Sequence, residues 1–250
     1  MRVMDLNADV GEGVGAEADE RALLATVTSA SVSCGAHAGT PEGVADTVVA
    51  ALAAGVSLGA HPSYPDRHGF GRRPVDLSDA ELRASLVAQV AFVADLARSH
   101  GGALRYVKPH GALYHRAVTD AATARLLASV VADAGVGVLL LAAGAATAPV
   151  AEETGLRVVG EAFADRAYGA DGRLVPREET GSVLHDEATV VGQALSIALS
   201  GSVRAVDGTV IELDATSLCL HGDTAGALAL ARSVRAALEA GGVTLAPFSP

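Results

Sequence analysis

A β/α barrel, closed or nearly so, is the fold class this sequence predicts, and three observations predict it. The chain has 250 residues, about the size of one such domain. Short β-type runs alternate with helical stretches along it, which implies a parallel sheet covered by helices. Six of the seven predicted strands deliver His, Asp, Glu, Lys or Arg at their carboxyl ends, the end at which β/α barrels build their sites. An open α/β sheet also binds ligands at that edge, but at one local switch point. Contributions from so many strands favour closure.

The strands are expected at Val3–Asp9, Ala30–Cys34, Val56–Ala60, Leu104–Lys108, Val136–Leu141, Arg157–Glu161 and Thr216–Leu220. Helices are expected over Asp19–Thr28, Pro41–Ala54, Asp79–Ser99, Ala121–Ala134, Ala146–Glu153, Glu187–Leu199 and Thr224–Ala240. Local chemistry supports the boundaries. Ser78 and Glu81 have capping-box spacing. Thr40-Pro41 pairs an N-cap with a first-turn proline, and Gly101-Gly102 stops the helix after His100. The long polar stretch Asp165–Gly181 reads as a functional or lid-like loop. Val203–Asp214 reads as a hairpin around Asp207-Gly208. The fifth strand, ending LLLAAGAA, is the one without a charged carboxyl end.

Composition narrows the function classes. Half the residues are apolar but only 3% are aromatic and Trp is absent, so Ala, Val and Leu must fill the core. A net charge of −11 disfavours nucleic acid and anionic membrane surfaces as partners. Cys34 and Cys219 have neither metal-type spacing nor the density of a disulfide scaffold. The opening MRVMDLNAD has no long apolar run, so no signal peptide is expected. Apolar runs such as Val136 to Ala143 are too short to span a bilayer. No charged linker, low-complexity stretch or repeat divides the chain. The expectation is a single cytoplasmic domain over residues 1–250, an enzyme or a binding protein.

The chain carries 17 Arg but a single Lys, Lys108. Arg is a permanently charged planar fork, whereas Lys is a compact amine. A lone Lys in VKPHG, at a strand end, is therefore a candidate for chemistry. Asp5, Asn7 and Asp9 alternate with apolar residues, so all three share one strand face; they line either a site or a solvated edge. Gly11, Gly13 and Gly15 form a glycine turn with no GxGxxG spacing, and no Walker A sequence is present. His37, His61, His110 and His221 stand at analogous strand ends, where four structural histidines together are an unattractive reading. His68, His100, His115 and His185 read as surface or cap residues. In GFGRR, Arg72 and Arg73 suit a carboxylate or phosphate, or an ordinary exposed loop. Glu161, Asp165 and Arg166 suit acid–base work and substrate clamping, although Asp165–Arg166 is equally read as a local ion pair. Asp223 follows His221-Gly222 and reads either as a ligand group or as the N-cap of the last helix.

Seven segments in order, DLNADVGEG, SCGAHAGTP, GAHPSYPDRHGFGRR, VKPHGALY, EAFADRAY, GRLVPR and LCLHGD, resemble the LamB/YcsF family, the A subunit of prokaryotic 5-oxoprolinase. They run from Asp5 to Asp223. Departures are small: Ala8 stands where Cys is common, Ala36 where Phe is common, and Thr40 where Asp is common. The resemblance implies a distorted seven-stranded β/α (TIM-like) barrel of the glycoside hydrolase/deacetylase type. It implies ATP-dependent hydrolysis of 5-oxo-L-proline to L-glutamate, with ADP and phosphate released. It also implies two partners, the B and C subunits of 5-oxoprolinase. Oligomeric state and the component that binds ATP, with Mg, stay open, and no organic redox cofactor is expected.

An unreactive lactam fits coupling to ATP, since phosphorylating the amide oxygen creates an imidate-like electrophile. The residues then suggest Asp9 or Glu161 as general base and His61 and His110 as proton-transfer or orienting groups. Lys108 would stabilise developing negative charge. Arg72 or Arg73 would hold the substrate carboxylate, among the substrate-binding candidates Asn7, His37, Asp165, Arg166, His221 and Asp223. Two rival readings stand beside this one. The first is a metal-dependent deacetylase-like hydrolase with Asp9, His61 and His110 as ligands. The second is a non-catalytic substrate-binding component of the complex.

Overall fold

The computed structural model describes residues 2–14, 17–222 and 226–249. The chain order is β1 (Arg2–Val10), α1 (Glu17–Leu24), β2 (Ser29–Ser33), α2 (Pro41–Ala54), β3 (Ser57–His61), α3 (Asp79–Ser99), β4 (Tyr106–Val107), α4 (Gly111–Thr119), α5 (Ala121–Asp133) and β5 (Val138–Ala142). It continues with α6 (Ala148–Glu152), β6 (Arg157–Phe163), α7 (Glu187–Leu195), β7 (Ser202–Arg204), β8 (Val210–Glu212), β9 (Ser217–His221), α8 (Ala227–Ala240) and β10 (Val243–Leu245).

Strands β1, β2, β3, β4, β5, β6 and β9 pair in parallel in that order. Pairing of β9 with β1 closes a seven-stranded barrel. Strand β10 adds in parallel to the first residues of β1, below the closed ring. The pair β7–β8 is the antiparallel hairpin expected around Asp207-Gly208. Ser78 and Glu81 cap α3 reciprocally, and Thr40 caps α2 through the Gly43 amide.

Two elements escaped the sequence reading. Helix α4 begins directly at Gly111, and its N-cap, His110, makes no side-chain cap bond, so the usual start signals are missing. Strand β10 has three residues, too few for a period to register. The helix expected over Glu187–Leu199 ends in a π-helical turn at Ser196–Ser200. Such a turn widens the ladder and carries no signature in side-chain periodicity.

The apolar residues fill the layer between barrel and helices. Leu6, Ala30, Val32, Leu58, Val107, Leu139 and Leu218 meet Val44, Val48, Leu86, Val93, Leu127 and Val234 there. Burial of such side chains stabilises by roughly 1.5–3 kcal/mol each. The inside of the barrel is polar instead. Asp5, Asn7 and Asp9 of β1 point inward in register with Ser217, Cys219 and His221 of β9. Ser29, Ser31 and Ser33 of β2 are buried beside them. β/α barrels usually stack branched apolar side chains there. Here the Tyr106 ring fills the lower interior, its hydroxyl 3.1 Å from Ser31 Oγ. Gly59 makes room for it, since a Cβ at that position would lie 2.3 Å from the ring.

Candidate active site

The centre of the barrel mouth is Lys108, immediately after β4. Its side chain is buried and its Nζ donates to Asp9 Oδ1 at 2.8 Å, to Cys219 Sγ at 3.2 Å and to Asn7 Oδ1 at 3.4 Å. Glu161 Oε1 is 2.9 Å away, and the Phe163 ring centroid is at 5.5 Å. Burial by itself disfavours an ammonium, but the carboxylates of Asp9 and Glu161 outweigh it and raise the pKa well above the ordinary value. Lys108 is thus a fixed cation and a donor at neutral pH.

Each of its partners is held in turn. Glu161 Oε1 accepts from Asn7 Nδ2 at 2.9 Å, and Oε2 from the Tyr114 hydroxyl at 3.1 Å. Asn7 also donates to Ser217 Oγ at 2.7 Å, and Ser217 donates to Asp5 Oδ2 at 2.5 Å. Asp5 accepts from Thr28 and Ser29 as well, each at 2.6 Å. Burial pushes its pKa up to about 6 despite these hydroxyls. Asp9 behaves oppositely. Burial alone would raise it, but the charges on His61 and Lys108 hold it well below the usual range. Burial also pushes the Cys219 thiol and the Tyr114 phenol upward, so both remain protonated.

Three imidazoles flank Asp9. His61 Nε2 is 3.4 Å from Asp9 Oδ2 and 2.9 Å from His110 Nδ1. His37 stacks on His110 with ring centroids 3.9 Å apart. Its Nε2 is 3.1 Å from Glu12 Oε1 and its Nδ1 is 3.0 Å from Ser63 Oγ. Burial lowers the pKa of His37 to about 3 and of His110 well below its ordinary value, so both rings are neutral. On the opposite wall His221 stacks on Phe163. Asp165 Oδ1 lies 3.0 Å from His221 Nδ1, and its Oδ2 accepts the His221 amide at 3.0 Å. Burial works against the ionised Asp165, but His221 holds its pKa below the ordinary value.

Above Lys108 opens a cavity of about 230 Å³. It is lined by Asp9, His61, Lys108, His110, Phe163, His221 and the buried Arg166, with the half-buried Arg72 and Arg177 toward the rim. A second cavity of about 530 Å³ lies beyond Tyr114, Phe163 and Leu174, which wall both. Glu161 and the AAGAA turn after β5 face that second space.

The sequence-derived candidates thus separate by position. Asp9, His61, Lys108, His110, Arg72, Arg166 and His221 line the first cavity, whereas Glu161 lines the second. Asn7, His37 and Asp165 sit behind this surface, each holding a lining residue or its neighbour. The Arg166 guanidinium donates to the carbonyls of Ser182 and Val175, which ties it to the Asp165–Gly181 loop; that loop brings Arg177 to the rim. Arg73 is exposed and outside the cavity lining, with its amide on Asp66. Asp223 and Gly15 lie outside the described residues. His115, read as a surface residue, borders both cavities.

Glu12, Tyr114, Phe163, Cys219 and Arg177 belong to the site although the sequence reading gave them no role. Periodicity held the signal for three of them. Phe163 follows Glu161 by two and Cys219 precedes His221 by two, so each shares a strand face with its neighbour. Tyr114 follows His110 by four and sits one helical turn on. Glu12 lies in a glycine turn, where no period exists.

Residues 4–250 match the LamB/YcsF family. The chain is 49% identical over 253 residues to the 5-oxoprolinase A subunit of Mycolicibacterium gilvum, covering all of both chains. It is 44% identical over 254 residues to a 5-oxoprolinase A subunit of Agrobacterium fabrum, covering all of this chain and 99% of that one. The crystal structure of a lactam utilization protein from Thermus thermophilus superposes with a TM-score of 0.90 at 41% identity, over 99% of this chain and 100% of that one. With its closed barrel and the Lys108-centred mouth, the chain belongs to the LamB/YcsF family.

Proposed function

We propose that the chain is the A subunit of an ATP-dependent 5-oxoprolinase and opens 5-oxo-L-proline to L-glutamate, with ADP and phosphate released, in a complex with the B and C subunits. The observation that carries this reading is the buried ammonium of Lys108 at the floor of a small cavity rimmed by Arg72 and Arg177. The names of the close relatives support the substrate.

The chemistry follows from that placement. Water adds to the lactam carbonyl carbon, the C–N bond breaks, and the nitrogen leaves with a proton. Transfer of the ATP γ-phosphoryl group to the lactam oxygen beforehand, with ADP leaving, makes that carbon an imidate-like electrophile; ring opening then leaves an acyl phosphate, which a second water hydrolyses to glutamate and phosphate. Lys108 faces the oxygen on which negative charge develops, where a preorganised donor contributes most. Asp9 takes the proton of the attacking water, and His61 and His110 orient both. Glu161, held by Asn7 and Tyr114, keeps Lys108 in place. The rim arginines suit the substrate carboxylate and phosphoryl oxygens, because guanidinium pairs with such groups through two parallel bonds.

The test is ATP-dependent glutamate release from 5-oxoproline by the three purified subunits, omitting each in turn. The reading requires loss of release without this chain. It also requires loss when Lys108→Arg replaces wild type; unchanged turnover of that variant removes Lys108 from the mechanism.

A further inference from the structure

Around His61 and His110 the hydrogen bonds determine where the protons lie. His61 Nδ1 is 2.8 Å from the Lys108 carbonyl, and His110 Nε2 is 2.9 Å from the Phe70 carbonyl. A carbonyl only accepts, so both of these nitrogens carry the hydrogen. The inner nitrogens, His61 Nε2 and His110 Nδ1, then face each other at 2.9 Å. His37 packs beside them, its Nδ1 3.0 Å from Ser63 Oγ and its Nε2 3.1 Å from Glu12 Oε1. Asp9 Oδ2 adds a further acceptor 3.4 Å from His61 Nε2, and Glu12 Oε1 lies 3.7 Å from His110 Nδ1. Inner nitrogens of two imidazoles and a carboxylate oxygen thus converge on one buried point, as the donors around a metal ion do.

We propose that Glu12, His61 and His110 hold a divalent transition-metal ion, between the Lys108 cavity and the glycine turn after β1. One donor atom from each lies within 4.8 Å of the others. Outer nitrogens donating to backbone carbonyls are what orients ligating imidazoles in metal sites. The scaffold supports the placement at a cost. Phe70, whose carbonyl fixes His110, is the one non-glycine residue with positive φ (55°) among those described, a conformation that side chains adopt only under constraint. Gly71 beside it leaves no room for a Cβ, which would lie 2.9 Å from both His110 Cδ2 and His37 Cβ. Two imidazoles and a carboxylate suit zinc, cobalt or nickel better than magnesium or calcium. Glu12 thus takes the place that the sequence reading had assigned to Asp9. Such an ion would supply Lewis acidity beside the Lys108 cavity.

Chelator-treated full-length chain, titrated with Zn²⁺ and with Co²⁺ by calorimetry and, for Co²⁺, visible absorption, tests the proposal. The expected result is one ion per chain, with Co²⁺ bands typical of mixed nitrogen and oxygen ligation. Glu12→Gln and His110→Gln, checked for folding by circular dichroism, are expected to weaken binding by about 100-fold or more, and His185→Ala to leave it unchanged. Wild-type chain that binds neither ion overturns the site, and the imidazole pair then shares a proton instead. Binding that survives the double variant E12Q/H110Q also overturns it. If H110Q fails to fold, E12Q alone decides by the same criterion. The titration needs neither lactam nor partner subunits, so its failure is distinguishable from failure of the 5-oxoprolinase reading.

Discussion

Lys108 Nζ lies 2.9 Å from Glu161 Oε1, and the two residues reach each other across the barrel from β6 and the end of β4. The same ammonium is 2.8 Å from Asp9, so one cation stands between two buried carboxylates. Replacing Lys108 by Met leaves those carboxylates facing each other with no positive charge between them. Breaking a buried ion pair from one side costs about 3–5 kcal/mol. Urea unfolding of Lys108→Met at pH 7 is expected to show a loss of that order. In the double variant K108M/E161Q much of it is expected to return, and no recovery would show that the carboxylates do not repel.

The interior carboxyl of Asp5 sets a pH dependence. Its pKa in the folded chain is about 6 against an ordinary 3.8, so the folded chain holds a proton that the unfolded chain has released between these values. The contribution of Asp5 to stability is greatest below the unfolded value and declines as pH rises to about 6, by up to about 3 kcal/mol. Asp165 runs the other way: its depressed pKa contributes stability above 3.8 that is lost as pH falls through the folded value. Unfolding free energies of wild type and Asp5→Asn should therefore diverge between pH 4 and 7, with the variant gaining. A constant difference across that range would show that Asp5 titrates normally.

Arg177 reaches the cavity rim on the Asp165–Gly181 loop. If it holds the substrate's carboxylate before and during reaction alike, Arg177→Ala raises KM with little change in kcat. A charge-assisted bond of about 1.5–3 kcal/mol corresponds to roughly 10–100-fold in KM. Steady-state kinetics of the three-subunit complex measure it. A fall in kcat at unchanged KM would move Arg177 from substrate binding to the chemical step.

Gly71 is the point at which the loop packs directly on the imidazoles. Its φ is 66° and a Cβ there meets His110 and His37 at 2.9 Å. Gly71→Ala is expected to destabilise the fold by about 2–4 kcal/mol and to displace His110. Gly135→Ala, also at positive φ but with nothing within 4 Å, separates the backbone cost from the steric one. Equal melting temperatures for the two variants would refute the steric account.

Much of the site was readable because strand periodicity and barrel architecture both act locally. Asp9, His61, Lys108 and His221 stand at or just after strand ends, and parallel closure forces all such ends to one mouth. Glu161 was readable as a strand-end acid. That it supports Lys108 and faces a different cavity depends on the β6–β9 register, in which Glu161 opposes Ser217. Arg72 and Arg73 are adjacent and chemically identical, yet Arg72 lines the cavity and Arg73 does not. Loop backbone geometry decides that, and no period encodes it.

By itself the sequence determined the alternation of strands and helices, the end of the barrel that carries the chemistry, and the membership that its motifs imply. Those follow from spacing along the chain, which every residue carries with it. The tertiary structure alone decided which acid faces which cation, that two buried carboxylates hold the Lys108 ammonium, and that the imidazoles of His61 and His110 converge. Proton positions and charge states depend on distances between residues far apart in the chain, and closure of the barrel sets those distances.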